Sequence, residues 1–405
     1  MEWLSLVLLV GAAVGIAAVA TQHLVLWRHV RQAPRVPLGT PGVSILKPLC
    51  GLEDGLAASL AAFAVLDWPD YEVVLGVRSE ADAAWPVARW AARRWPGRFS
   101  VAVQRGEPGL NPKVNQLITL AAAARHEVLV VSDSNVRVER GYVREIVALL
   151  EDQTVGLVTH PIAGAGGETL GGLMDDLHLA GSITPGVLAA KRLAGRDIVV
   201  GKSMALRRAD LRALGGFAAV KDVLAEDYVL GRMVGTVLRK RVAVAVRPIR
   251  NVGGRRSVGE FAARYRRWAV LQRQAVGRGV YAAQVLLNPV LLAALGAAVA
   301  PSSGTLAALG VAVAAKTGLD GAAARALRPG GFTLAQLAVV PLKDLVFGAA
   351  WLHGLLRRDV VWRGTRLRVG PGTRIDSADA RAVPPPAVAG GAAIEERPPL
   401  ADAVS

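Results

Sequence analysis

The sequence predicts an α/β fold: a doubly wound, mainly parallel sheet, preceded by one transmembrane helix and followed by a helical membrane region. Three observations carry this. Short apolar runs at Val43–Leu49, Tyr71–Val77, Phe99–Val103, Glu127–Val131 and Gly156–His160 alternate with segments of helical composition, the order that builds a parallel sheet. The run EVLVV, Glu127–Val131, carries Val and Leu without alternation, as burial on both faces produces. The apolar excess is uneven: 52% of the chain is hydrophobic with only 5% aromatic, and the excess lies at the N-terminus and beyond Tyr281. That distribution describes a membrane protein with a soluble middle.

Taken in order, Trp3–Trp27 is apolar and long enough to cross a bilayer. Ala18-Val19-Ala20 imitates a signal-peptide cleavage site, but Glu2 is acidic where a basic flank is expected and the apolar run continues to Trp27. The segment therefore reads as an anchor. Arg28, Arg31 and Arg35 follow it, which by the positive-inside rule places the next domain in the cytoplasm. After a Pro/Gly-rich linker come the first two strands, separated by the helical stretch Leu56–Val65. The stretch Asn111–Val138 opens with a Pro-containing turn bearing Lys113 and Asn115, continues as a Leu/Ala-rich helix, and ends its apolar strand in Ser132-Asp133-Ser134-Asn135. Taken alone, this is a strand followed by an ordinary polar turn. Its place matters more, because open α/β sheets bind ligands beyond the carboxyl ends of their strands, where a carboxylate can hold a divalent cation.

Gly164–Gly172 reads as a glycine-rich loop. Gly195 to Gly201-Lys202-Ser203 imitates a phosphate loop, but five residues separate the glycines where four are needed. Ala225-Glu226-Asp227-Tyr228 opens a helix with adjacent acids, a common complement to the helix dipole. Val258–Gln274 sets Phe261, Tyr265, Trp268 and Leu271 among arginines, as an amphipathic helix at a membrane surface does. Apolar segments follow at Tyr281–Ala300, Thr305–Lys316 and Phe332–Leu356, the last interrupted by Pro341 and Lys343-Asp344. By the positive-inside rule that last segment is expected to form a re-entrant or surface hairpin with both ends cytoplasmic. A basic strand pair around Trp362 and Gly364 precedes a Pro/Ala/Gly tail from Ser377 that reads as disordered.

The net charge of +16 comes with no zinc-ligand set or stacking-aromatic motif, so anionic headgroups and nucleotide phosphates explain it better than nucleic acid. Cys50 is the single cysteine, which excludes an intramolecular disulfide.

The segments VSILKPLCGLEDGL (Val43–Leu56), NPKVNQL, SDSNVRV, AEDY and RYRRW (Arg264–Trp268) stand in one order over more than half the chain. In that order they resemble membrane-bound family-2-type glycosyltransferases with a GT-A fold. The nearest resemblance is to ceramide glucosyltransferases and bacterial hopanoid-biosynthesis glycosyltransferases. It implies a catalytic domain over 38–255, after an anchor over 1–27, and an interface helix with the RxxRW motif over 256–278. C-terminal membrane helices over 281–358, a basic strand pair over 359–376 and a tail over 377–405 complete the expected organisation.

The resemblance further implies transfer of a sugar from a UDP-sugar to a lipid hydroxyl, with Mg²⁺ or Mn²⁺ at Asp133. Asn135 replaces the second acid of the common Asp-x-Asp pattern. Asp227 is implied as catalytic base, supported by Glu226. Arg264, Arg267 and Trp268 match the motif that closes over donor and acceptor, while Lys47, Lys113 and Asn115 fall to the donor pocket. Ser79 stands where the family has a nucleotide-binding Asp, so Glu80 or Asp82 is the expected substitute. The leading expectation is an inverting glucosyltransferase acting on ceramide, multi-pass in the cell membrane with a cytoplasmic catalytic domain. The alternatives are N-acetylhexosamine transfer to a hopanoid polyol, a processive polysaccharide synthase, and an inactive lipid-binding membrane protein.

Overall fold

The computed structural model describes residues 1–362 and 365–382. A long helix α1 (Glu2–Val30) precedes β1 (Val43–Pro48). Then follow α2 (Leu56–Ala64), β2 (Tyr71–Val77), α3 (Trp85–Arg94), β3 (Phe99–Val103), α4 (Pro112–Ala123) and β4 (Val128–Ser132). The chain continues through β5 (Val136–Arg137), α5 (Tyr142–Leu150), β6 (Val155–Thr159), β7 (Ile162–Ala165), α6 (Leu170–His178) and α7 (Thr184–Ala194). Next come β8 (Ser203–Arg207), α8 (Arg208–Ala213), α9 (Glu226–Thr236), β9 (Arg241–Val244) and β10 (Ile249–Val252). Beyond them lie α10 (Val258–Val276), α11 (Arg278–Ala283), α12 (Pro289–Val299), α13 (Ser303–Leu327), α14 (Leu334–Leu337) and α15 (Val340–Leu356). Strands β11 (Asp359–Trp362), β12 (Thr365–Val369) and β13 (Ile375–Ala382) close the described chain.

The period-2 alternation of strand side chains divides the core into two layers. Val43, Ile45, Val73, Leu75, Val128 and Val130 face Leu60 and Phe63 of α2, Ala88 of α3 and Ile146 of α5. Leu46, Val74, Leu129 and Val131 face Val114 and Leu117 of α4 and Leu230 of α9. Helices on both faces explain why β2 and β4 are buried throughout. The seven-stranded sheet has the order β3-β2-β1-β4-β8-β6-β9. Strands β3, β2, β1 and β4 run parallel, as do β6 and β9, while β8 is antiparallel to both neighbours. Pairing of Ser132 with Ser203 therefore brings the start of β8 to the carboxyl end of β4. A second sheet, β5-β10-β7, continues from the same edge.

Several sequence expectations need correction. The glycine-rich stretch 164–172 is not one loop: β7 runs to Ala165 and α6 begins at Leu170. The expected C-terminal strand pair is a three-stranded antiparallel sheet, and β13 takes in residues 377–382, whose composition reads as disordered tail. The rest of the tail, 383–405, and Gly364 lie outside the described residues.

The apolar segments also rearrange. By length and composition α1, α13 and the stretch Leu334–Leu356 can cross a bilayer. The expected crossing at Tyr281–Ala300 is bent by 80° between Leu287 and Pro289, as a broken span or a re-entrant loop is. Asn288 caps α12 by accepting from Leu291 N at 3.1 Å, and the 11 residues of α12 rise only about 16 Å. Helix α12 runs back along α1, where Ser5 Oγ donates to Gly296 O at 2.8 Å. The segment Thr305–Lys316 grows into the 25-residue α13.

The expected hairpin at Phe332–Leu356 is a short α14 and then α15, with Pro341 in the first turn of α15, where a missing N–H costs little. Both ends of the stretch meet the sheet domain and its attached helix. Arg328 Nη1 lies 3.9 Å from Asp176 of α6, and Arg273 Nη2 of α10 donates to Arg357 O at 2.6 Å. Farther on, Leu224 N donates to Thr373 O at 2.9 Å. These contacts favour the hairpin reading, in which residues 328 and 365 lie on one side of the bilayer. Single cysteines at Arg328 and Thr365 in a Cys50-free background should respond alike to an impermeant thiol reagent in intact cells. Labelling of 365 without 328 would place the stretch across the membrane.

Candidate active site

The carboxyl edges of β1 and β4 meet the amino ends of α4, α9 and β8. Asn111 caps α4 by accepting from Lys113 N and Val114 N, and Pro112 fills the first position, where no donor is needed. This cap aims Lys113 back across the edge. Its Nζ lies 2.9 Å from Asp133 Oδ1 and 2.9 Å from Glu226 Oε1. Asn111 Nδ2 also donates to Val223 O at 2.7 Å and to Glu226 Oε2 at 3.3 Å, fixing the start of α9.

Asp133 is clasped from its other side by Lys202, 3.0 Å from Oδ2. Lys202 also donates to Asn135 Oδ1 at 2.9 Å. Lys47, fully buried on β1, donates to Asp133 O at 2.8 Å and Ser132 Oγ at 3.2 Å, and lies 3.9 Å from the Phe63 ring centroid.

Burial alone would raise the Asp133 carboxyl, but Lys113 and Lys202 outweigh it and hold the group well below the usual carboxylate range. Burial likewise opposes the charge on Lys113, yet Asp133, Glu226 and Asp227 keep it firmly protonated. Lys47 has less compensation, and burial brings it down to about 7.

Asp227 sits in the first turn of α9, where its carboxylate accepts from Tyr228 N at 2.8 Å and from Gly201 N. A Cβ at Gly201 would stand 2.7 Å from Asp227 Oδ2, so only glycine permits this approach. Burial and the neighbouring Glu226 charge push the Asp227 carboxyl up to about 7. Two adjacent acids are thus separated in character. Glu226 is committed to Lys113, while Asp227 is half-buried and near neutrality at physiological pH.

The RxxRW helix roofs this edge. Arg264 of α10 lies 4.9 Å from the Trp268 ring centroid and within the electrostatic reach of Asp133 and Lys202. Helix α10 is not laid bare on a membrane surface: Phe261, Tyr265, Ala269 and Val270 are buried, and Phe261 and Tyr265 pack with Met174 of α6 and Ala350 of α15. Arg267 and Trp268 are half-buried on it.

Asp175 holds the roof. It is fully buried on α6 and accepts from Tyr265 OH at 2.7 Å and Arg256 Nη1 at 2.6 Å, with Arg264 Nε at 3.5 Å. Asp175→Asn is expected to lower turnover about 100-fold by misplacing Arg264, with partial recovery in Asp175→Glu. Wild-type turnover in Asp175→Asn would show that the roof is held without this carboxylate.

Of the residues singled out in the sequence, Lys47, Lys113, Asp133, Asn135, Glu226 and Asp227 converge on this edge, with Arg264 above it. Asn115 does not join them: its amide donates to Gly109 O at 2.8 Å and accepts from Gly109 N at 3.0 Å, spending both atoms on a loop. Asp82 accepts from Gly51 N and Ala84 N, each at 2.9 Å, tying the loop after β1 to the start of α3. Glu80 and Ser79 are exposed. Sequence reasoning missed Lys202, Asn111 and Asp175. For Asn111 the Asn-Pro signature of a capped helix was available.

A sequence profile of glycosyl transferase family 21 matches residues 7–375. Ceramide glucosyltransferase 3 of Caenorhabditis elegans is 26% identical over 236 residues, 57% of this chain and 50% of the relative. Ceramide glucosyltransferase of Komagataella phaffii is 28% identical over 204 residues, covering 45% and 40%. This chain thus spans about half the length, or less, of these curated relatives. In structure, it is similar to a mannosyltransferase from Pyrobaculum calidifontis solved with GDP-Man and Mn²⁺, at a TM-score of 0.52 and 19% identity, over 86% of this chain and 99% of that one. The likeness establishes a GT-A-like fold. With the family profile covering nearly the whole described chain, the protein belongs to glycosyl transferase family 21.

Proposed function

We propose that the chain is an inverting hexosyltransferase that moves a sugar, glucose by its relatives' names, from a UDP-sugar to a hydroxyl of a membrane lipid such as ceramide. The observation that carries the reading is the Asp133–Lys113–Glu226 chain with Asp227 beside it. A diphosphate-binding cluster and a carboxylate tuned to about 7 occupy one edge beneath helices that lead to the bilayer. The chemistry follows from these groups. Asp227 takes the proton of the acceptor hydroxyl as its oxygen attacks the anomeric carbon. The carbon–oxygen bond to the diphosphate breaks, and the negative charge it leaves on UDP is met by Lys113, Lys202 and Arg264. One displacement from the face opposite the leaving group inverts the anomeric centre.

Among the described residues no three His, Cys, Asp or Glu side chains gather as a metal site. Asp133 is nevertheless a hard oxygen donor, with its side chain 23% exposed. That suits Mg²⁺ or Mn²⁺, which are commonly held by one or two carboxylates and the substrate's phosphates. Such a cation would neutralise the departing diphosphate when bound. Both Asp133 oxygens are engaged by lysines, so cation and lysines compete for it.

Purified full-length protein should convert ceramide and labelled UDP-glucose to a glycolipid resolved by thin-layer chromatography. Excess chelator should suppress this conversion, and Asp133→Ala should lower it about 100-fold or more. Undiminished transfer in chelator, or an unaltered metal response in Asp133→Ala, would remove the cation from Asp133. No labelled lipid with any tested acceptor would favour a lipid-binding protein without transferase activity.

A further inference from the structure

A second basic site lies away from the catalytic edge, at the foot of α1. A cavity of about 200 Å³ opens there, bordered by His29, Arg35, Leu188, Lys191, Arg192 and Arg241. Its depth relative to the bilayer follows from α1. The apolar run ends at Trp27, which is 45% exposed and carries the Arg31 guanidinium 3.2 Å from its ring centroid. An exposed Trp capped by Arg marks the headgroup level of a spanning helix. The cavity begins within one turn of that point.

The charges around it divide into two groups. Lys191 is committed to Asp197 at 2.6 Å, and Arg241 to Asp152 at 2.6 Å. The one acid on the rim, Glu145, spends its carboxylate on Val246 N and Arg247 N. Arg35 and Arg192 are exposed and have no ion pair or hydrogen bond among the described residues. Two uncommitted guanidinium groups at headgroup depth suit a phosphate anion. Guanidinium groups pair phosphate oxygens in a fixed geometry.

We propose that this pocket binds the phosphate of an anionic phospholipid headgroup, in the leaflet next to the catalytic domain, through Arg35 and Arg192. The site docks the sheet edge at β9 to the bilayer and so sets the height of the catalytic edge above it. The inference rests on α1 spanning the membrane and not on the chemistry at Asp133 and Asp227.

The test uses the full chain in nanodiscs and native mass spectrometry of the lipid it retains. Phosphatidylglycerol should be retained over phosphatidylcholine by about fivefold or more, and R35Q/R192Q should bring the ratio to parity. R93Q/R94Q, the same charge change on α3, should leave the ratio as in the wild type. Equal retention of both lipids by the wild type, or an unchanged ratio in R35Q/R192Q, would overturn the proposal. So would displacement of the lipid by glycerol 1-phosphate at equal concentration, which would mark a site for free phosphate compounds. Circular dichroism of R35Q/R192Q separates loss of the site from loss of the fold, and a misfolded R35Q/R192Q is replaced by the single variant R192Q under the same criteria.

Discussion

Asp227→Asn should reduce sugar transfer about 10²- to 10⁴-fold, the range a positioned general base supplies, while leaving UDP-sugar binding intact. Tyr228 N and Gly201 N donate to different Asp227 oxygens, so the amide keeps an acceptor for one of them and the other N–H loses its partner. Circular dichroism of the variant checks that the turn into α9 is kept. Lys113 still faces Asp133 and Glu226, which preserves the donor side. What disappears is the carboxylate of this edge that burial and Glu226 hold at about 7. The same reasoning fixes the pH response: a base held at about 7 is protonated and idle below that value. Wild-type turnover should therefore rise as pH passes through 7 and level off above it. Turnover from labelled product, with donor binding by calorimetry, separates the two effects. Substantial transfer by folded Asp227→Asn would remove Asp227 from the role of base, and a flat profile between pH 6 and 8 would remove its raised pKa from the mechanism.

How much of this site the sequence discloses depends on how local each feature is. The end of β4 at Ser132-Asp133 is legible because unbroken Val/Leu burial and an abrupt polar stop lie within a few residues. The first turn of α9 is legible for the same reason. Lys202 is not, although the sequence correctly excludes a phosphate loop around it. Its importance comes from an antiparallel pairing, Ser132 with Ser203, that joins residues 71 positions apart. No periodicity within either segment announces that register. Asp175 is hidden likewise, since it looks like one acid in a glycine-rich stretch until Arg256, Tyr265 and Arg264 close on it.

The membrane region is legible in length but not in path. Counting apolar residues measures length but not direction, so Tyr281–Ala300 reads as a crossing. The Asn288-Pro289 pair that turns it by 80° was present as a helix-start signal inside the apolar run. Lys343-Asp344 is legible as an interruption of the apolar run, but its partners only emerge once α1, α13 and α15 are packed together.

Those partners make Asp320 the position where a single change should damage the fold most. Asp320 of α13 takes Lys316 Nζ at 2.6 Å on both oxygens and Lys343 Nζ of α15 at 3.1 Å. Lys343 also pairs with Asp344 at 2.8 Å, and Lys316 lies 3.6 Å from the same group. His23 of α1 stands 4.0 Å from Asp320 and bonds Gly181 O at 2.8 Å. Gly181 itself is required, because a Cβ there would fall 2.4 Å from Asp320. All four charged side chains are at most 4% exposed, and two lysines balance two aspartates.

Asp320→Asn removes one negative charge and leaves two buried ammonium groups sharing Asp344. Breaking a buried pair in this way costs about 3–5 kcal/mol, a large part of the roughly 5–15 kcal/mol that holds a typical domain together. The variant should yield little monodisperse protein in detergent, and α15 should loosen from α13. Because α15 packs along α10, the Arg264 roof should loosen with it. Lys316→Met added to Asp320→Asn restores neutrality, with Lys343 still paired to Asp344, and should recover most of the folded yield. If the single variant behaves as the wild type, or the double variant is no better than the single, charge balance is not what joins these helices. Recovery in the double variant would instead tie the catalytic roof to an ion cluster at the base of the membrane helices.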